Sequence, residues 1–194
     1  MEDKAIEILQ VMLSRRGLKT DLERLTLDTL ERANAYKIGD TLVIFSQKEK
    51  GLLERDIEKL TDFASKMEMK QGLVIVTLSP PSENVLKVVK ALAKQRIQLF
   101  HIRQLQFDIT THRMVSPHFI FDENFKKQHP DITKEYEKRK ITKPEEQLPW
   151  LDSQDAMAKW IGAIPGDIVY VQRPSDTAGN ADFWRYVVED ANVA

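Results

Sequence analysis

The 194 residues carry 42% apolar and 30% charged side chains, a net charge of -1 and a mean hydropathy of -0.41, which describe an ordinary soluble globular chain of one domain or two small ones. No run approaches the ~18 apolar residues needed to span a membrane, and the first ten residues carry acids where a secretory signal has an apolar core. The lack of cysteine excludes disulfides, thiolate zinc sites and cysteine nucleophiles and suits an intracellular protein.

Taken in chain order, residues 3–16 predict an amphipathic helix. Ala5, Ile6, Leu9, Met12 and Leu13 share one face, Arg15 and Arg16 complement the dipole of the last turn, and Gly17 ends it. From residue 41 the pattern alternates. Strands are predicted at 41–46 (TLVIFS), 72–78 (GLVIVTL) and 97–103, with helices at 54–69 and 83–94 between them. Near-continuous apolar strands alternating with helices indicate a small, mainly parallel α/β sheet over residues 1–105.

Beyond residue 105 the alternation stops. Residues 107–111 and 115–121 read as short strands or extended connections, and 122–140 as one or two exposed, charged helices broken by Pro130. A proline-punctuated connection over 141–149 leads to a helix with Asp152 as its N-cap and Asp155 at its third position. Ala156, Trp160 and Ile161 form its buried stripe, and Gly162 stops it. Strands at 168–173 and 183–188 close the chain as a hairpin, joined by a loop over 174–179 that is longer than a tight turn requires. The fold class is α+β in two domains. The first is an α/β domain over 1–105, and the second is a small α+β domain over 106–194 ending in a β-hairpin.

Charge divides with the domains. Residues 1–104 hold 18 Lys and Arg against 15 Asp and Glu, a net of +3, and residues 105–194 hold 11 against 15, a net of -4. Neither half has the concentrated basic patch of an autonomous nucleic-acid binder.

Chemistry is sparse. Gly162 to Gly166 joins a helix to a strand through a proline, which is the reverse of a phosphate-binding glycine loop. His101, His112, His118 and His129 lack a metal-ligand spacing, no GxSxG elbow exists, and the hydroxyls of Ser175 and Thr177 read as braces for their loop. No cofactor, metal or small-molecule ligand is expected. A metal-dependent nuclease on the α/β frame would need an acid at one strand start and an acid-x-Lys on the next. Asp40 fits the first place, but the strand at 73–78 has neither acid nor lysine. Trp160 and Trp184 read as core, and Trp150 is the candidate for an exposed aromatic contact.

The second half resembles a known family on seven elements in order. They are His112 with Met114-Val115 and Pro117-His118; Gln147-Leu148-Pro149; Asp152 to Asp155; Gly162-Ala163 with Pro165-Gly166-Asp167; Arg173-Pro174-Ser175; Thr177-Ala178-Gly179; and Arg185. These residues resemble the shared fifth subunit of eukaryotic nuclear RNA polymerases, whose C-terminal domain has a counterpart among the small subunits of the archaeal polymerase. The resemblance implies a noncatalytic subunit of DNA-directed RNA polymerase. Its C-terminal domain would dock on the largest subunit, and its N-terminal domain would project as part of the lower jaw near downstream DNA. It implies docking through Pro165, Gly166, Asp167, Arg173, Ser175, Thr177, Ala178, Gly179 and Arg185, with only weak, sequence-independent DNA contact. Location would be the nucleus for a cellular protein, or the virion or viral factory for a viral one. A free-standing nuclease-fold protein and a polymerase-binding regulatory adaptor are the alternatives.

Overall fold

In the computed structural model, residues 1–26, 32–48, 51–67, 69–175 and 179–192 are described. The backbone divides into two compact units, Met1–Asp108 and Ile109–Ala194. Among the described residues no helix is long and apolar enough to cross a membrane.

The first unit opens with α1 (Glu2–Arg15), whose buried side chains are the five expected ones together with Ile8. Its end is closed by Gly17 at φ 73°: the Gly17 N–H donates to Ser14 and the Leu18 N–H to Leu13, so two orphan carbonyls of the last turn are satisfied. The chain then forms β1 (Leu22–Leu25), β2 (Ala33–Ile38), β3 (Thr41–Ser46), α2 (Glu54–Lys66), β4 (Leu73–Thr77), α3 (Glu83–Ala91) and β5 (Ile97–His101). The sheet order is β1-β2-β3-β4-β5. Only β3, β4 and β5 are mutually parallel; β1–β2 and β2–β3 are antiparallel.

The expected mainly parallel sheet is therefore a mixed one. β1 (LERL) and β2 (ANAYKI) lack the continuous apolar run that marks β3 and β4, all of whose side chains are buried. One sheet face, with Leu42, Ile44, Leu73, Ile75 and Leu99, packs against Ile57 and Leu60 of α2 and Val85 and Val89 of α3. The opposite face meets α1. Asn34 and Tyr36 of β2 hydrogen-bond to Glu2, and Gln98 of β5 accepts from Arg16 at 2.8 Å. Fully burying a side chain such as Leu9, Met12 or Leu13 contributes roughly 1.5–3 kcal/mol.

The second unit begins with a single helical turn at Ile109–Thr111, where an extended segment was one expectation. It continues through β6 (His118–Ile120), α4 (Glu123–Gln128), α5 (Pro130–Lys138), α6 (Pro144–Gln147), β7 (Trp150–Asp152), α7 (Ala156–Ile161), β8 (Ile168–Ser175) and β9 (Gly179–Val188). Strand order is β6-β8-β9-β7. One face packs Val169, Val171 and Val187 with Leu151 against Ala158 and Ala163, at and just beyond α7. The other carries an aromatic core, with Tyr170 and Trp184 against Phe121 and Phe125.

Two local expectations are corrected. Asp155, not Asp152, caps α7, its Oδ1 accepting from the Met157 and Ala158 N–H groups at 2.8 and 3.3 Å. The Asp152 carboxylate is drawn away by the Gln154 and Ala191 N–H groups. The hairpin strands also run further than expected, pairing Arg173 with Ala181, Pro174 with Asn180 and Ser175 with Gly179. The connection thus shrinks to residues 176–178. Pro174 fits inside β8 because its nitrogen faces the outer edge, where β6 no longer pairs, so no ladder bond is lost.

Candidate docking surface on the C-terminal hairpin

Of the nine residues expected to dock, the seven that are described do not form one cluster. Pro165, Gly166 and Asp167 lie at the base of the hairpin, Arg173, Ser175 and Gly179 toward its tip, and Arg185 between. Thr177 and Ala178 fall outside the described residues. From Asp167 to Arg173 the strand advances six residues, roughly 20 Å.

The base group acts internally. Ile164 to Asp167 make a turn in which the Asp167 N–H donates to the Ile164 carbonyl at 3.0 Å, with Pro165 leading and Gly166 at φ 103°. The Asp167 carboxylate returns to accept the Ile164 N–H at 2.8 Å, and its carbonyl accepts from Val187 at 2.9 Å. Gly166 donates to the Val187 carbonyl at 3.0 Å. These bonds fix where β8 leaves the helical layer, so the base positions the hairpin.

Toward the tip, Arg173 faces outward. Paired residues of antiparallel strands share a face, so His118, Val171 and Phe183 make one row, with Arg173 one step toward the tip and Arg185 one step toward the base. Arg173 is exposed and lies over the Phe183 ring at 5.0 Å. Phe183 is 41% exposed, whereas Trp184, its neighbour in sequence, is 2% exposed on the opposite face. Arg185 makes one long contact, 3.5 Å, to the Trp150 carbonyl. Burial lowers the pKa of His118, and Arg185 and Arg173 push the same way against the Ser116 carbonyl and Asp155. Gly179 sits at φ 74° with open space where a side chain would be, so backbone conformation rather than crowding selects glycine there.

The opposite face is a closed core. The Tyr170 hydroxyl donates to Asp182 Oδ1 at 2.6 Å, Arg139 lies over the Trp184 ring at 4.5 Å, and its guanidinium donates to the Asp182 carbonyl. Trp160 is buried, and Trp150 remains 39% exposed while donating from Nε1 to the Glu145 carbonyl.

The catalytic candidates are dispersed. Asp40 is exposed on the turn entering β3. His101 caps a helical turn, accepting from the Arg103 N–H and bonding the Leu78 carbonyl, and His112 accepts the Met114 N–H. Among the described residues no group of three or more His, Asp or Glu could hold a metal ion. Arg15 pairs with Asp108 instead of standing free at the end of α1, and Arg16 is half-buried, its pKa lowered to about 10 by desolvation.

Phe183 and Lys159 were missed from sequence. Strand alternation beside Trp184 is the signal that exposes Phe183, and placement between Ala158 and Trp160 is the signal that buries Lys159.

The family model described as RNA polymerase Rpb5, C-terminal domain, matches residues 107–187. The DNA-directed RNA polymerase subunit Rpo5 of Methanosarcina acetivorans is 38% identical over 84 residues, covering 43% of this chain and 97% of the relative. That of Pyrococcus horikoshii is 41% identical over 85 residues, covering 44% and 94%. The DNA-directed RNA polymerases I, II, and III subunit rpabc1 of Dictyostelium discoideum is 24% identical over 154 residues, covering 77% of this chain and 73% of the relative. An identity of 38% maintained across nearly the whole of an archaeal subunit places the chain in the Rpb5 family of DNA-directed RNA polymerase subunits.

Proposed function

We propose that the protein is a noncatalytic subunit that docks on the largest subunit of a multisubunit DNA-directed RNA polymerase. Residues 106–194 are the assembly domain, and residues 1–105 project as part of the lower jaw near entering downstream DNA. The observation that carries this reading is the family match over 107–187, which spans the base turn and outward face of the hairpin. The near-complete coverage of the archaeal subunits by about 84 residues of this chain supports a division of labour in which one unit suffices for assembly.

The charge division supports the same arrangement, with a net of +3 toward DNA and -4 toward protein. Any DNA contact is to the backbone and independent of sequence. In a cell the subunit works in the nucleus; if encoded by a large DNA virus, it works in the virion or the cytoplasmic viral factory.

Affinity purification of the tagged full chain, with mass spectrometry of what accompanies it, tests the proposal. The two largest polymerase subunits are expected in near-equal amount. A stable, partnerless monomer in cell extract contradicts assembly, and strongly substoichiometric recovery from purified polymerase identifies a regulatory adaptor instead.

A further inference from the structure

The outward face of the hairpin tip has a chemistry that specifies its partner more closely than a general docking role. Three of its side chains are Arg173, Phe183 and Arg185, in that order from tip to base; His118 and the buried Val171 stand in the Phe183 row, and the buried Val169 opposite Arg185, where the same face packs against Ala158 and Ala163. Arg173 and Arg185 lie four residues apart in register, roughly 13 Å along the ribbon. Between them the Phe183 ring lies under the Arg173 guanidinium at 5.0 Å and remains 41% exposed. A guanidinium offers five N–H donors in a planar fork, so the long Arg185 contact to Trp150 leaves capacity for a carboxylate. The carboxylate that acts on His118 is Asp155, already engaged as the cap of α7.

We infer that this face receives an extended acidic segment of the partner protein, carrying two carboxylates about four residues apart with an apolar side chain between them. The arginines take the carboxylates, and Phe183 packs on the apolar group. The inference rests on the docking reading above and supplies its chemistry. A polyanion such as nucleic acid is disfavoured because residues 105–194 have a net charge of -4, which repels a long anion while leaving the local cationic face able to hold a short one.

The test is capture of the largest polymerase subunit by the full-length chain at low and moderate salt, about 50 and 300 mM, a range over which charge contacts are increasingly screened. R173E/R185E should lose roughly tenfold or more in capture. R173K/R185K should retain most of it, and F183A should lose several-fold while keeping the salt dependence of the wild type. Tryptophan fluorescence confirms that each variant is folded, since all three tryptophans lie in the second unit. A single-stranded DNA oligonucleotide serves as the competing probe.

If the wild type captures the subunit and R173E/R185E captures it equally, or capture is insensitive to salt, the acidic-segment inference is wrong while docking stands. DNA binding by the wild type that disappears in R173E/R185E also overturns it, by making nucleic acid the occupant. If the wild-type chain captures nothing, both the inference and the docking proposal fail.

Discussion

The Lys48–Asp56 pair of the first unit and the Arg173–Arg185 pair of the second put charge to different uses. In the first unit, charged groups are drawn inward to hold the fold. The Lys48 ammonium lies 2.9 Å from Asp56, a carboxylate only 5% exposed, which also accepts the Leu53 N–H at the start of α2. Arg16 is half-buried and donates to Gln98 at 2.8 Å. In the second unit, Arg173 is exposed and Arg185 half-buried beside an exposed phenylalanine, on the sheet face whose Val169, Val171 and Val187 pack against Ala158 and Ala163, and an aromatic core fills the opposite face. The comparison teaches that the fold around a charged residue, more than its sequence context, decides whether it pairs internally or stays open to a partner.

Adjacent residues give the largest test of that division. Trp184→Ala opens the aromatic core and should destabilise the second unit by about 3–5 kcal/mol, while Phe183→Ala should change stability by less than about 1 kcal/mol. Chemical unfolding followed by tryptophan fluorescence measures Phe183→Ala, with circular dichroism for Trp184→Ala, where one tryptophan reporter is lost. Equal losses for the two would erase the distinction between the buried aromatic core and the exposed Phe183. In the first unit, Asp56→Ala strands Lys48 and removes the helix-start bond, a change expected to cost about 2–4 kcal/mol. It should lower the circular-dichroism transition of that unit and leave capture by the polymerase unaltered.

Gly179→Val is expected to cost about 1–2 kcal/mol, because a β-branched side chain is strained at φ 74° even in open space. The same change, like Arg173→Ala, should weaken docking with the rest of the unit still folded. Normal assembly of both variants would remove the tip from the interface.

Lys159 gives a smaller, pH-dependent test. Desolvation lowers its pKa from 10.5 to about 8, against the opposing pull of Asp155 and Asp152. Between these values the unfolded chain holds the proton that the folded chain has lost, so stability rises with pH. The window is cleanest from about pH 8 to 10, before tyrosines titrate, and the rise should be about 2 kcal/mol, abolished in Lys159→Met. His118 gives the smallest effect. Its lowered pKa means the unfolded chain takes up protons first as pH falls through 6.5, so stability declines there, and His118→Gln removes that decline.

Legibility followed burial. The apolar runs of β3 and β4 announced themselves because both faces of each strand are covered, whereas β1 is an exposed edge strand whose LERL carries no period to read. β7 was hidden because only three residues pair, straight after Pro149. The helix cap moved from Asp152 to Asp155 because a distant backbone N–H, that of Ala191, competes for the first carboxylate, and local spacing carries no record of that competitor. At the candidate interface the residue types were readable, but their division was not. Asp167 and Arg173 belong to one run of sequence, yet the first closes a turn and the second faces outward, a distinction made by register and hydrogen bonding.

The central claim is that docking belongs to the second unit. Its most direct measurement compares capture of the largest polymerase subunit by residues 106–194 alone and by residues 1–105 alone, each verified as folded. The account predicts that 106–194 binds within roughly threefold of the full chain, a difference under 1 kcal/mol, and that 1–105 does not bind. Capture by 1–105, with none by a folded 106–194, would contradict it.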